Sequence, residues 1–393
     1  MLQSLRIKNF RTCADVNITD VGEMLLLVGR NGAGKTSILE AVEWCAKVAV
    51  TNGIPDMNAH YDNSSVSLTF NVHSKTFRYT ATAHPVTANS RLQDIQSSDL
   101  LEHRSGDGPW TIVFERVGTH LTYTNDNGEK DSYSLPDRAS SINFLISTVL
   151  RLNSPNKNVA AAWHYLTNLK YYSFENLNTS SAFIKPEDYS AWQLDSTGHS
   201  SGESTLYKLI DMYENDKESF KEVSDILSSE KLGIIERILV RRSTEQVNIP
   251  KTPADFASRE SYALFFHCDP QRNGINYYEE LSFGTKRILN IVVSLIYDKC
   301  STLLIEQPED GIHPGLLVKL MSLLDGYADP TQIIIASHSP TVINHINAKD
   351  IRIVARKDGH TVCLALTEDE VSAAEDYVNE TGQLSDFVRI LEQ

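Results

Sequence analysis

Gly29-Arg30-Asn31-Gly32-Ala33-Gly34-Lys35-Thr36 decides how this 393-residue chain folds. The stretch fits the pattern Gly, any four residues, Gly-Lys and then Ser or Thr, and its flanks supply the context that pattern needs. Before it, Met24-Leu25-Leu26-Leu27-Val28 is a continuous apolar run, which reads as a strand buried on both faces of a parallel sheet. After it, from Thr36 to Val50, Ile38, Leu39, Val42, Cys45, Ala46 and Ala49 recur at helical spacing. Strand, glycine turn and helix in that order make a phosphate cradle. The glycines let backbone N–H groups converge on phosphate oxygens without side-chain obstruction. The helix starting near Lys35 adds the positive end of its dipole. Lys35 is then placed to reach the β- and γ-phosphates, and Thr36 to ligate Mg2+.

Working outward, the length fits one large domain with an insertion, or two domains. Apolar residues at 41% and charged residues at 22% are globular proportions, so a sizeable core needs neither disulfides nor a structural metal. Thirty-six Lys and Arg against 51 Asp and Glu leave a net charge of −15. That sum argues against a surface acting throughout as a nonspecific DNA glue, which needs a cationic face. Cys13, Cys45, Cys268, Cys300 and Cys363 are far apart, with no Cys-x-x-Cys pair, so zinc-ribbon and thioredoxin readings fall away. The first residues, MLQSLRIKNFR, have no long apolar core, and no apolar run approaches 18 residues, so the expected location is cytoplasmic.

Leu5, Ile7 and Phe10 predict an opening strand and turn. SVSLTFNVHSKTFRYTA predicts a hairpin turning at His73-Ser74, and TIVFERV with HLTYTND a further strand pair. Residues 86–108 read as irregular, and 139–242 as mostly helical. The polar stretch from Pro250 to about 260 reads as a linker, with strands from Tyr262 towards Tyr278. Three divisions follow: an N-terminal lobe at 1–135, a helical insertion at 136–260 and a C-terminal lobe at 261–393. The two lobes must meet in space, because neither is a complete sheet alone.

The C-terminal lobe carries a second set of motifs. Thr302-Leu303-Leu304-Ile305 is a buried strand ending in Glu306, and an acid at the tip of such a strand is the Walker-B arrangement that holds Mg2+. Upstream, Leu281-Ser282-Phe283-Gly284-Thr285-Lys286-Arg287 opens a helix whose exposed N–H groups form a second anion site. Downstream, the strand Gln332–Ala336 runs into Ser337-His338-Ser339-Pro340, where His338 is placed to sense a γ-phosphate.

Taken together, IKNFR, GRNGAGKT, LSFGTKR, LLIEQPEDGIHP and ASHSP resemble the ABC-type ATPases of the RecF, SMC and OLD group. The nearest likeness is to the stand-alone AAA family ATPase branch that includes OLD-like and PARIS-type antiphage proteins. The resemblance covers roughly the first 80 residues and 275–365. It implies an α/β ABC-type P-loop ATPase head with a mixed sheet, an antiparallel β subdomain and a helical insertion. It implies ATP and Mg2+ as cofactors, with ATP sandwiched in a homodimer. Gly29, Asn31, Gly32, Ala33, Gly34, Lys35, Thr36 and Ser37 would bind phosphates, and Arg11 would contact the nucleotide. Ser282 and Gly284 would act on the γ-phosphate across the dimer. Thr36 and Glu306 would hold the metal, and His338 would be the switch histidine. The metal-binding glutamine of the family stays open among Gln93, Gln96 and Gln193.

One position departs from the family. Gln307 stands where a glutamate usually orients the attacking water, and glutamine cannot accept that water's proton. Hydrolysis is then naturally slow, or Gln307 is an engineered trap of the ATP state, or Glu309 substitutes. The resemblance implies a sensor or switch of bacterial antiphage defence controlling a separate effector, such as a nuclease, and triggered by nucleic acid or a phage protein. Only 53 residues follow Pro340, too few for a Toprim nuclease domain. The alternative is a RecF-like repair or recombination ATPase that clamps DNA, which would need a basic groove. A membrane partner is not expected.

Smaller signals take bland readings. Arg237, Arg241 and Arg242 read as a solvated helix face. Trp163, Tyr165, Tyr171, Tyr172 and Phe174 read as core packing. The acidic EDEVSAAEDYVNE reads as an exposed helix. His60, His73, His84 and His103 lack ligand spacing.

Overall fold

The buried runs of the sequence become the middle of a six-stranded mixed sheet. A computed structural model describes residues 1–51, 63–85, 95–136, 139–149, 156–172, 183–194, 204–248, 256–268 and 274–391. The chain opens with β1 (Leu2–Phe10), β2 (Cys13–Ile18), β3 (Met24–Val28) and α1 (Lys35–Val50). An antiparallel meander follows, with β4 (Ser64–Val72), β5 (Lys75–Pro85), β6 (Ile95–Ser105), β7 (Thr111–Val117), β8 (His120–Thr124) and β9 (Lys130–Ser134). Next come α2 (Ser141–Val149), α3 (Lys157–Thr167), β10 (Leu169–Tyr172), β11 (Phe183–Ile184), α4 (Pro186–Leu194), α5 (Ser204–Asn215), α6 (Lys217–Leu227), β12 (Arg237–Asn248), β13 (Phe256–His267) and α7 (Phe283–Tyr297). The chain closes with β14 (Thr302–Glu306), α8 (Pro314–Tyr327), β15 (Gln332–Ser337), α9 (Pro340–Ile343), β16 (Ile351–Lys357), β17 (His360–Ala365), α10 (Glu368–Thr381) and α11 (Leu384–Leu391).

Two units divide these elements. The first comprises Met1–Tyr171, Cys300–Gln307 and Leu324–Gln393. It holds an eight-stranded sheet in the order β2-β1-β4-β5-β6-β7-β8-β9 and the six-stranded sheet β10-β14-β15-β3-β16-β17. In the latter, β14, β15, β3 and β16 run parallel, and β17 returns antiparallel. All five residues of β3 are buried, as a strand covered on both faces requires. Each such side chain stabilises the fold by about 1.5–3 kcal/mol on leaving water. Helix α1 packs against strands of both sheets, and its buried Trp44 lies 5.7 Å from the Phe10 ring. Buried Gln332 ties the sheets together. Its Oε1 accepts from the Leu2 N–H at 2.7 Å, and its Nε2 donates to the Leu2 and Gly22 carbonyls at 2.9 and 2.7 Å.

The second unit comprises Tyr172–Lys299 and Pro308–Leu323. Helices α5, α6 and α7 pack on one another, and a three-stranded sheet forms in the order β11-β13-β12. Lys208 on α5 is fully buried and pairs with Asp298 at 2.7 Å, while its Nζ donates to the Tyr172 hydroxyl at 2.9 Å. Burying an ammonium is costly unless a partner of this kind compensates it.

The α/β class is the expected one, with a mixed sheet and an antiparallel sheet. Three local expectations need correction. The region read as mostly helical from 139 to 242 also contains β10, β11 and the start of β12, and the stretch read as a linker contributes to β13. Arg237, Arg241 and Arg242 therefore stand on a strand and not on a helix. Residues 95–105, read as irregular, form β6. The predicted hairpin turn at His73-Ser74, the strand pair β7–β8 and the helical acidic tail are all present.

Candidate functional site

The register of the parallel sheet assembles the site. Glu306 pairs with Ala336, Ala336 with Leu27, and Ser337 with Val28. The C-terminal ends of β14, β15 and β3 are therefore level, the edge at which open α/β sheets bind ligands. The glycine loop leaves β3 there, Glu306 ends β14 there, and His338 follows the last residue of β15.

Backbone geometry explains the glycines. Gly34 has φ +110, and a Cβ on it would come within 2.0 Å of the Thr361 hydroxyl oxygen. A Cβ on Gly29 would lie 2.0 Å from the Val354 carbonyl oxygen. At Gly29 and Gly34 the loop thus presses against β16 and β17 with no room for a side chain. Thr361 on β17 buttresses it further by donating to the Ala33 carbonyl at 3.0 Å and lying 2.7 Å from the Thr12 hydroxyl. Gly34 supplies no side-chain cap to α1, so the helix start keeps its backbone donors for another acceptor.

Lys35 is buried along its length, and its Nζ donates to the Gly29 carbonyl at 2.5 Å and to that of Arg30 at 3.2 Å. The ammonium is held over its own loop by groups that a phosphate oxygen can replace. The Thr36 hydroxyl donates to Glu306 Oε1. The Tyr171 hydroxyl, on the neighbouring strand β10, donates to Glu306 Oε2 at 2.5 Å. A cavity of about 450 Å³ opens here, lined by Thr12, Asn31, Gly32, Gly34, Lys35, Thr36, Ser37, Glu306, Gln307 and Arg356. Its size suits a small-molecule ligand.

This donor set fits a nucleotide triphosphate with Mg2+. Backbone N–H groups and one ammonium face the phosphate side. The Thr36 hydroxyl and Glu306 carboxylate meet beside them as a pair of hard oxygen donors. Among the described residues no group of three or more His, Cys, Asp or Glu could hold a metal. Mg2+ does not need one, since it takes one or two protein oxygens and completes its shell with phosphates and water.

Gln307 adopts φ +43, an uncommon backbone for a non-glycine residue, and its N–H donates to the Ala336 carbonyl at 2.8 Å. It lines the cavity directly beside Glu306. Arg11 does not line the cavity; its guanidinium pairs with Glu40 on α1, and its neighbour Thr12 reaches the cavity instead. Burial pushes the Glu40 carboxyl up, against the pull of Arg11. Ala33 belongs to the loop but not to the lining. His338 is exposed and outside the lining, next to buried Ser337.

Ser282 and Gly284 belong to the second unit. Ser282 caps α7, its Oγ accepting from the Thr285 N–H at 3.1 Å. A Cβ on Gly284 would sit 2.2 Å from the Gly311 carbonyl oxygen, so the first turn of α7 demands glycine. Of the candidate glutamines, Gln193 spends its amide on the Tyr189 hydroxyl and Asp211, Gln96 lies on β6, and Gln93 falls outside the described residues. His60 and Phe174 also fall outside them.

Comparison with known proteins matches residues 24–344 to the family described as AAA domain, putative AbiEii toxin, Type IV TA system. The chain belongs to this family. The matched span runs from β3 through the phosphate loop and Glu306 to the end of α9. No curated protein is significantly similar to the chain. Solved structures similar to it include an Smc head bound to the C-winged helix domain of ScpA, at 13% identity over 95% of this chain and 99% of that one, with a TM-score of 0.46. An Smc head with an extended coiled coil, bound to the C-terminal domain of ScpA from Pyrococcus furiosus, matches at 12% identity over 96% and 99%, TM-score 0.46. The SMC head domain from Thermotoga maritima matches at 12% identity over 93% and 99%, TM-score 0.40.

Sequence reasoning missed Tyr171, Thr12, Thr361 and Arg356. Tyr171 reads as one aromatic among several, and its role shows only when β10 takes its place beside β14. Thr361 lies 325 residues or more from everything it supports in the loop.

Proposed function

We propose that this family member binds ATP with Mg2+ in the cavity at the ends of β3 and β14, and that it hydrolyses ATP slowly. The observation that carries the reading is the Thr36 hydroxyl meeting the Glu306 carboxylate beside the Lys35 loop. Backbone N–H groups from Gly32 to Ser37 receive the phosphates, and Lys35 exchanges its loop carbonyls for phosphate oxygens. Thr36 and Glu306 hold the cation, which when bound offsets charge on the phosphates. Gln307 orients water by hydrogen bonding but cannot take its proton, so turnover is slow. Two copies close on ATP, with Ser282 and Gly284 of each acting at the other's nucleotide, and His338 responding to the γ-phosphate.

On this reading 1–135 and 261–393 act as lobes of one head and 136–260 as the insertion. The family description names a putative AbiEii toxin and a type IV toxin–antitoxin system. That wording is in keeping with a defence role; the OLD-like branch, and control of a separate effector by the ATP state, we propose from the motifs alone. All five cysteines are free thiols, in keeping with a reducing cytoplasm. No described helix is long and apolar enough to cross a membrane.

The test is solution mass with and without ATP and Mg2+, on the wild type and on Lys35→Ala. The wild type should bind nucleotide and double in mass, and Lys35→Ala should do neither. Nucleotide binding that survives Lys35→Ala unchanged rejects the site.

A further inference from the structure

The second unit presents an open sheet face whose chemistry the nucleotide site does not use. In the sheet β11-β13-β12, paired residues share a face. Arg237 pairs with His267, Leu239 with Phe265, Arg241 with Ala263, and Phe183 also with Ala263. The alternate positions are the core side: Ile238, Val240, Leu264, Phe266 and Ile184 are all buried. Of the first set only Ala263 is buried, and the rest are exposed or half-buried, so this face looks outward. Arg237 and Arg241 are exposed, and Phe183 is 49% exposed although it is a large apolar ring.

Three aromatic rings run across this outward face. Tyr277 lies 5.5 Å from Phe265 and 6.0 Å from Phe183, centroid to centroid. The Arg241 guanidinium sits over Phe265 at 5.9 Å. Among the described residues no ion pair engages Arg237 or Arg241. Two acids close by in sequence accept backbone hydrogen bonds: Glu236 from the Ser229 N–H at 3.1 Å, and Glu280 from the Tyr277 N–H at 2.7 Å. A chain of net charge −15 thus gathers cations, without an ion pair among the described residues, and ring faces on one exposed sheet face.

We infer that this face binds single-stranded nucleic acid. Successive bases stack on Phe183 and Tyr277, while Arg237 and Arg241, about 13 Å apart along β12, hold the phosphates. Stacking on ring faces tolerates any base, so the surface reads strandedness and not sequence. An acidic peptide would use the arginines and leave the rings idle. A duplex would engage the arginines but offers no free base faces.

The experiment is fluorescence anisotropy of labelled oligothymidylate, about 16 nucleotides long, with the full chain and no added ATP. Its failure therefore leaves the nucleotide site untouched. Binding should weaken steeply as salt rises from about 50 to 200 mM. The pair Arg237→Glu and Arg241→Glu should lower affinity at least about tenfold and flatten the salt dependence. Phe183→Ala should lower affinity about fivefold or more and leave the salt dependence unchanged. Arg241→Gln, milder on folding, should reproduce part of the charge effect with an unaltered melting temperature. No binding at low salt overturns the inference, as does affinity that none of these variants changes. Equal affinity for a blunt duplex, or displacement of the oligonucleotide by polyglutamate at matched charge, overturns it in favour of a purely electrostatic surface.

Discussion

Replacing Tyr171 by phenylalanine isolates the setting of the Glu306 carboxylate. The ring is 8% exposed and phenylalanine keeps it, so packing on β10 is preserved and only the hydroxyl goes. That hydroxyl donates to Glu306 Oε2 at 2.5 Å while Thr36 donates to Oε1, so the two donors fix the plane of the carboxylate between them. A hydrogen bond to a charged group is worth about 1.5–3 kcal/mol. Glu306 is only partly buried, so water will replace some of the loss, and the low end of that range is expected. A loss of about 1.4 kcal/mol in cation-dependent binding is a factor of about ten. The assay is calorimetric affinity for ATP in Mg2+ and again in EDTA. Affinity in EDTA should hold, because Lys35 and the loop are untouched, while affinity in Mg2+ should fall about tenfold. If the ratio of the two affinities does not change, Tyr171 does not position the acid. If both fall together with the melting temperature, its contribution is to the fold alone.

Gln307→Glu should raise ATP turnover at least about tenfold, since a carboxylate at that position can accept the proton that glutamine cannot; steady-state phosphate release measures it, and unchanged turnover rejects slow hydrolysis by this cause. Lys208→Met should lower stability by about 3–5 kcal/mol in denaturant melts, because it strands the buried Asp298 carboxylate. Adding Asp298→Asn should recover part of that loss, and strict additivity would refute a direct pair. Burial pushes the Asp99 carboxyl up to about 6, against the opposing donor Ser141, the charge of Arg116 and the donor Tyr79. Between the ordinary carboxylate value and about 6, the folded state keeps a proton that the unfolded chain has released. Stability should therefore fall as pH rises through that window and level off above it. Asp99→Asn should remove the slope in urea melts across the window, and a slope that persists would place its origin elsewhere.

The parts of the fold legible in the sequence are those fixed by near neighbours. β3, the glycine loop and α1 are contiguous, and the apolar runs of β14 and β15 need no partner to be read as buried strands. β6 escaped because its interior is polar. Ser97, Asp99 and Glu102 are buried on it, and only the folded chain brings Ser141 Oγ to 2.7 Å and Tyr79 OH to 3.2 Å from Asp99. Pattern reading counts such residues as exposed. β12 escaped for a different reason: Arg237-Ile238-Leu239-Val240-Arg241-Arg242 is a short apolar run between cations, and such a run fits helix or strand equally well. Arg237 meets His267 of its partner β13, 30 residues further along the chain, only once the hairpin has closed.

The site divides along the same line. Its phosphate side is local, because Gly29 to Ser37 lie within one turn and one helix start, and glycine spacing carries the message. The side where we propose the cation is not. Glu306 is recognisable as an acid at a strand tip, yet what makes it usable is the pair of donors on its two oxygens, one 270 residues upstream and one 135. Neither threonine nor tyrosine is unusual in composition, and no spacing rule links them. The parallel register that levels β14 with β15 and β3 brings Thr36 to one oxygen, and the edge position of β10 beside β14 brings Tyr171 to the other. A carboxylate held on both sides before any ligand arrives loses less orientational freedom on binding, so on the proposed reading the sheet order contributes to affinity through preorganisation. Substitutions that shift the register of β10 against β14, without touching the glycine loop, should therefore weaken the cation-dependent part of binding alone.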